Sequence, residues 1–123
     1  MKSTRLITIK MIGLTSQARF QYAIENSDPC KGFVLDVGCG SGELVNALQS
    51  RSSHVIGLDK DVQQLAALNA AMRRLGESCN LVAADVSRLP FRNSSFEALY
   101  CMEVINMLDK DYNSLTEIAR VLK

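Results

Sequence analysis

Several function classes drop out because the residues they need are scarce or wrongly spaced. The chain has one histidine, His54, and four cysteines, at 30, 39, 79 and 101. No two cysteines stand in C-x-x-C spacing, and His54 alone cannot complete a zinc site with them, so no metal is expected. Isolated cysteines point to a reducing compartment, with Cys39, Cys79 and Cys101 packed as small hydrophobes. No apolar run approaches the roughly 18 residues that a bilayer span requires. Thr8 and Lys10 interrupt the N-terminal apolar stretch that a secretory leader would need. The expectation is a cytoplasmic chain with no membrane partner. A net charge of +1 supplies no global field for nucleic acid. The charge is uneven: residues 1–31 carry five Lys/Arg against two acids, and residues 32–123 carry nine against eleven. A solvated basic N-terminus accounts for this, and an anionic acceptor or partner is the sharper alternative. Repeats, low-complexity tracts and Pro/Gly linkers are all missing. The chain therefore divides only into an N-terminal strand and helix segment, 1–31, and a ligand-binding domain, 32–123.

What is present alternates between two periods. Leu6–Met11 places Ile7, Ile9 and Met11 on one face, as a half-buried strand does. Residues 15–26 suit a short helix with Ala18, Tyr22 and Ala23 on one side. Phe33–Val37 is an apolar strand that runs into Gly38, Cys39, Gly40, Ser41 and Gly42. Leu44, Val45 and Leu48 then fall at helical spacing. His54–Leu58 reads as a second strand with Asp59 at its end. Asp61 followed by Gln64 forms a capping-box pattern. The helix it opens buries Val62, Leu65, Leu68 and Met72 and stops at Gly76. Asn80–Ala84 is a third strand ending at Asp85, and Phe96–Met102 is a fourth. Asp111 caps a last helix with Leu115, Ile118, Ala119 and Leu122 on its inner face. Strands alternating with helices specify a parallel sheet covered on both faces. Ligands of such sheets sit at the carboxyl ends of the strands. Gly38 to Gly42, Asp59, Asp85 and the pair Met102 and Glu103 all fall at such ends.

The glycine turn discriminates between ligands. Glycines at 38, 40 and 42 let the backbone bend sharply and come close to a bound molecule. A dinucleotide turn, G-x-G-x-x-G, would place its third glycine at 43, where this chain has Glu43. A pyrophosphate would meet Glu43 and Asp36, which is unfavourable, whereas a cation would be welcome. A nicotinamide-dependent oxidoreductase is disfavoured on the same grounds. Asp59 can accept from both hydroxyls of a ribose. Asp85 can accept from a purine amine, and the Val86 N–H can serve the neighbouring ring nitrogen. Taken singly, each feature has a plain reading: a turn, a helix-start residue, a loop carboxylate. Their order and βα spacing point jointly to a nucleoside-type ligand.

Val34–Leu44, Val55–Asp59, Ala83–Phe91, Phe96–Leu108 and Leu115–Lys123 together resemble the class I S-adenosylmethionine-dependent methyltransferases, in particular the small-molecule type. The resemblance covers about residues 33–123. It implies an α/β, Rossmann-like doubly wound sheet of about four parallel strands in order 3-2-1-4, with a possible extra N-terminal strand. It implies S-adenosylmethionine as cofactor, with Asp36, Gly38, Cys39, Gly40 and Gly42 around the methionine part. Asp59 would hold the ribose, Lys60 would lie beside the adenine, Asp85 and Val86 would meet the adenine edge, and Met102 would line the donor pocket. Position 97 is Glu where the family usually has Asp, and Ile105 and Asn106 stand where histidine is common. Family members usually continue beyond the equivalent of Lys123 with a Pro-Gly-Gly turn, a fifth strand and a hairpin, so the sheet reads as truncated relative to the seven-stranded fold. The exposed edge of the fourth strand is expected to be covered by Leu6–Met11 or by a partner, as a homodimer or a heteromeric complex.

Methyl transfer asks the protein mainly for proximity and alignment. The candidate bases are Glu103, more simply a solvated carboxylate, and Tyr22, more simply a packing residue. The fourth strand lacks an Asn/Asp-Pro-Pro-aromatic ending, which argues against a nucleic-acid amino-group methylase and favours a small-molecule acceptor. The alternative reading is a cofactor-binding module that depends on a partner chain for activity.

Overall fold

The computed structural model describes residues 5–7, 21, 25, 32–51, 54–101 and 112–123. Its elements are β1 (Arg5–Ile7), β2 (Val34–Val37), α1 (Glu43–Gln49), β3 (Val55–Asp59), α2 (Val62–Arg74), β4 (Asn80–Ala83), β5 (Ala98–Tyr100) and α3 (Tyr112–Val121). The five strands form one parallel sheet in the order β1-β5-β2-β3-β4. Numbered from β2, this is the expected order 3-2-1-4 with one strand added at the N-terminal side.

Burial on both faces explains the composition of the central strands. Successive side chains of a strand point to opposite faces. Val34 joins Leu44, Val45, Leu48, Leu65, Leu68 and Met72 on the face that packs α1 and α2. Leu35 and Val37 join Leu58, Leu99, Ile118 and Val121 on the other. Each such side chain contributes about 1.5–3 kcal/mol by leaving water. Cys39 and Cys101 are buried within these clusters, and Cys79 packs against one partly buried.

The added strand settles the question of the sheet edge. Arg5, Leu6 and Ile7 pair in parallel with Ala98, Leu99 and Tyr100. β5 is therefore an interior strand, and the edge no longer calls for a partner subunit. Residues 8–11 of the expected strand lie outside the described residues. So does most of the expected helix over 15–26, of which Gln21 and Glu25 are described: both are helical, and the Gln21 amide donates to Glu25 Oε1 at 2.7 Å.

Three local expectations are corrected. Val62 is 65% exposed, because it is the first residue of α2 and only Leu65, Leu68 and Met72 turn inward. The inner face of α3 is Ser114, Ile118 and Val121, with Leu122 following, while Leu115 and Ala119 face outward. The helix is rotated by about one residue from the apolar stripe, so that small Ser114, rather than Leu115, packs inward. The fourth strand is also shorter than Phe96–Met102. Phe96 bridges Leu122 instead of joining the sheet, with its N–H on Val121 O and its carbonyl accepting from Lys123 N.

A charged clamp ties α3 to the loop before β5. Glu117 Oε2 accepts from Leu89 N at 2.7 Å. The Arg120 guanidinium donates to Leu89 O, Phe91 O, Asn93 Oδ1 and both Glu117 oxygens at 2.7–3.0 Å. The pairing holds the Glu117 carboxyl below its ordinary value, with the Arg120 bond the main cause.

Candidate cofactor site

The site begins where β2 ends. Gly38 and Cys39 both donate their N–H to Leu58 O, at 2.7 and 3.0 Å, which folds the turn over the end of β3. Gly38, Gly40 and Gly42 have φ of 74°, 53° and 79°, left-handed values that side chains resist. The constraint is tightest at Gly42: a Cβ there would lie 2.5 Å from Leu68 Cδ1. Gly42 also caps α1, accepting from Asn46 N at 2.9 Å.

Asp59, at the end of β3, locks this turn to the next helix. Its Oδ2 accepts from Gly40 N at 3.0 Å and its Oδ1 from Asp61 N at 2.9 Å. Half of the expected capping box is present, since Asp61 Oδ1 accepts from Gln64 N at 3.1 Å. The other half is replaced: the Asp61 N–H goes to Asp59 rather than to the Gln64 side chain. The Gln64 amide nitrogen instead lies 3.6 Å from where a Gly40 Cβ would stand. Gln64 is a site neighbour that sequence reasoning treated as a cap alone; its place one turn into the helix after Asp59 was the available signal.

Beneath the turn sits Asp36, 3% exposed. It follows Val34 by two residues and so shares the face that packs α1 and α2. Its carboxyl accepts no hydrogen bond from any described residue. Burial pushes its pKa up to about 8, and the nearby Asp59 carboxylate adds to the shift. Burial, with Asp36 and Asp59 beside it, pushes the Cys39 thiol up to about 12, so Cys39 is neutral at physiological pH and no nucleophile.

Asp85 follows β4 and is exposed. Its Oδ1 accepts from Ser87 N at 2.9 Å and from Ser87 Oγ at 2.7 Å. These bonds hold it below the ordinary carboxylate range, with a smaller contribution from Lys60. The Val86 N–H meets no acceptor among the described residues, and the Val86 side chain is half-buried against the sheet core. β4 is in register with β3, Ala83 opposite Asp59, and Ala84 N donates to Asp59 O at 3.1 Å. The structure thus gathers Asp36, the glycine turn, Asp59, Lys60, Asp85 and Val86 at the carboxyl ends of three adjacent strands. Chain order reverses there: β3 and β4 lie to one side of β2, and β5 to the other. Met102, Glu103 and Tyr22 lie outside the described residues.

This arrangement favours a cation flanked by hydroxyls. Two carboxyl groups meet under the turn, and neither carries an ion pair with a described Lys or Arg. At Gly40 no described atom but the Gln64 amide nitrogen, at 3.6 Å, lies near where a Cβ would stand, which leaves room for close approach. Asp36, with no hydrogen-bond partner among the described residues, is the kind of group that a cationic ligand would complete.

Comparison with known proteins agrees with this geometry. Residues 35–123 match the methyltransferase domain family. A cycloartenol-C-24-methyltransferase of Arabidopsis thaliana is 37% identical over 93 residues, which is 73% of this chain and 28% of that protein. The YcgJ protein of Bacillus subtilis superposes with a TM-score of 0.73 at 22% identity, over 87% of this chain and 47% of that one. A structure of the complex between the Haloferax volcanii Trm112 methyltransferase activator and a methyltransferase matches with a TM-score of 0.70 at 26% identity, over 84% of this chain and 46% of that one. The chain thus spans between about a quarter and a half of the length of these proteins. It belongs to the class I S-adenosylmethionine-dependent methyltransferase family, whose cofactor is S-adenosylmethionine. Among the described residues, no helix is long and apolar enough to cross a membrane.

Proposed function

We propose that this chain is the cofactor-binding part of a methyltransferase that acts on a small-molecule acceptor, with residues 32–123 as the binding domain. The observation that carries this reading is the pair of acids, Asp36 and Asp59, set under a left-handed glycine turn without an ion pair to a cation among the described residues. S-adenosylmethionine, when bound, supplies an electrophilic sulfonium methyl for in-line transfer. Asp36, Gly38, Cys39, Gly40 and Gly42 surround its methionine part. Asp59 accepts from the ribose hydroxyls: each of its oxygens holds one backbone N–H, which fixes the carboxylate and leaves a lone pair on each. Asp85, kept ionised by Ser87, accepts from the adenine amine, and Val86 N–H donates to the ring. Lys60 lies beside the adenine and Met102 lines the donor pocket, with Tyr22 or Glu103 as the base where an acceptor must lose a proton. The small-molecule acceptor draws support from the name of the Arabidopsis relative, which acts on cycloartenol.

Calorimetry with S-adenosylmethionine and with NAD tests the reading. Saturable heat with the former alone is expected, and heat with NAD alone overturns it. A second reading, a binding module that works only with a partner chain, draws support from the likeness to a methyltransferase seen with its activator. Turnover to S-adenosylhomocysteine by the chain alone, with candidate acceptors, would exclude it.

A further inference from the structure

We infer that Asp36 is a proton-exchange site of the cofactor pocket: in the free protein its carboxyl holds a proton, and entry of a sulfonium ligand expels that proton to solvent. The inference rests on the proposed cofactor reading and deepens it. The balance is one for one. The O–H bond of Asp36 breaks, the proton leaves to buffer, and the carboxylate stays behind as counter-ion to the incoming positive charge.

Geometry carries the argument. Asp36 is buried at 3% exposure and accepts no hydrogen bond from a described residue, so nothing described stabilises its charged form. Its neighbours make matters worse for the anion. From β3, Asp59 presents a second carboxylate whose oxygens are already fixed by Gly40 N and Asp61 N. From the turn, Cys39 presents a neutral thiol. From β5, the residue in register is Tyr100, a buried phenol. Glu43, which opens α1, is a further acid, and Gln64 of α2 is neutral. Lys60, which follows Asp59, is exposed and acts on Asp85. The raised pKa of about 8 agrees with this setting. A ligand cation reverses it by supplying a partner that the described residues do not.

The test is calorimetric titration of the whole chain with S-adenosylmethionine in buffers of differing ionisation enthalpy, from pH 6 to pH 9.5. Close to one proton released per ligand is expected at pH 7, falling to none at the upper end. Affinity should rise about tenfold per pH unit below pH 8 and level off above it, the behaviour of one linked proton. Asp36→Asn should release no proton at pH 7 and should lack the tenfold-per-unit rise in affinity below pH 8. S-adenosylhomocysteine, which lacks the sulfonium charge, should release less. Difference infrared spectroscopy of the unmutated protein gives a readout independent of the variant: a protonated-carboxyl band should vanish when ligand is added at pH 7. Binding without proton release, or equal release by Asp36→Asn, overturns the exchange and leaves the cofactor reading standing. No binding at any pH overturns both.

Discussion

Two loops of this molecule are held the same way and completed differently. In the turn after β2, a carboxylate from a neighbouring strand, Asp59, takes the Gly40 N–H. In the loop before β5, a carboxylate from α3, Glu117, takes the Leu89 N–H. There the likeness ends. Glu117 has Arg120 beside it, and the guanidinium spreads five donors over Leu89, Phe91, Asn93 and Glu117 itself. That cluster is electrically closed and needs nothing further. The turn has a second acid, Asp36, in place of an arginine, and the result is a carboxyl shifted upward rather than downward. One device is structural because it carries its own counter-ion. The other has no counter-ion among the described residues, and the proposed function assigns that place to a cationic ligand.

The contrast can be broken by mutation and by pH. Gly42→Ala should have the largest effect, about 2–4 kcal/mol of lost stability in urea unfolding, since it combines left-handed strain with a clash on Leu68. Asp59→Ala should weaken S-adenosylmethionine binding by about 1–3 kcal/mol in calorimetry, the scale for leaving polar partners unpaired. Arg120→Met is its counterpart at the closed loop: the thermal midpoint should fall while cofactor affinity stays unchanged. A loss of affinity as large as that of Asp59→Ala would erase the distinction drawn between the two loops.

The pH dependence of stability sharpens the comparison further. Below about pH 4, Asp36 is protonated whether the chain is folded or not. Between there and its folded value of about 8, the unfolded chain ionises and the folded one does not. Folding stability should therefore fall as pH rises through that window, with a slope of at most about 1.4 kcal/mol per pH unit for this one group. Asp36→Asn should remove that part of the slope. Glu117 and Asp85, held below the ordinary range, act with the opposite sign in more acid solution, losing their contribution as pH falls. The smallest effect is expected for Asp85→Ala, about 0.5–1.5 kcal/mol of cofactor affinity, because its site is open to solvent.

How much of this was legible in the sequence depended on the range over which each feature is set. The glycine turn, Asp59 at a strand end and Asp61 as a cap are local, and their spacing alone placed them correctly. The strand order came through resemblance and agrees with the structure, down to the extra N-terminal strand beside β5. The rotation of α3 was missed because Leu115 and Ala119 complete an apolar stripe as well as Ser114 and Val121 do, and only the sheet beneath decides between them. The Arg120 clamp was invisible because its partners in the loop, Leu89 and Phe91, stand about 30 residues away in the chain. Asp36 was recognised as an acid before the turn. That it is buried without a hydrogen-bond partner among the described residues depends on α1, α2 and β3 closing over it, which no spacing rule encodes.

The most direct test of the central claim is a structure of the chain with S-adenosylmethionine or S-adenosylhomocysteine bound. The ribose hydroxyls should lie within hydrogen-bond reach of Asp59, the adenine amine near Asp85, and the methionine part over Gly38 to Gly42. A ligand found away from the carboxyl ends of β2, β3 and β4, or a ribose that does not meet Asp59, would contradict the account.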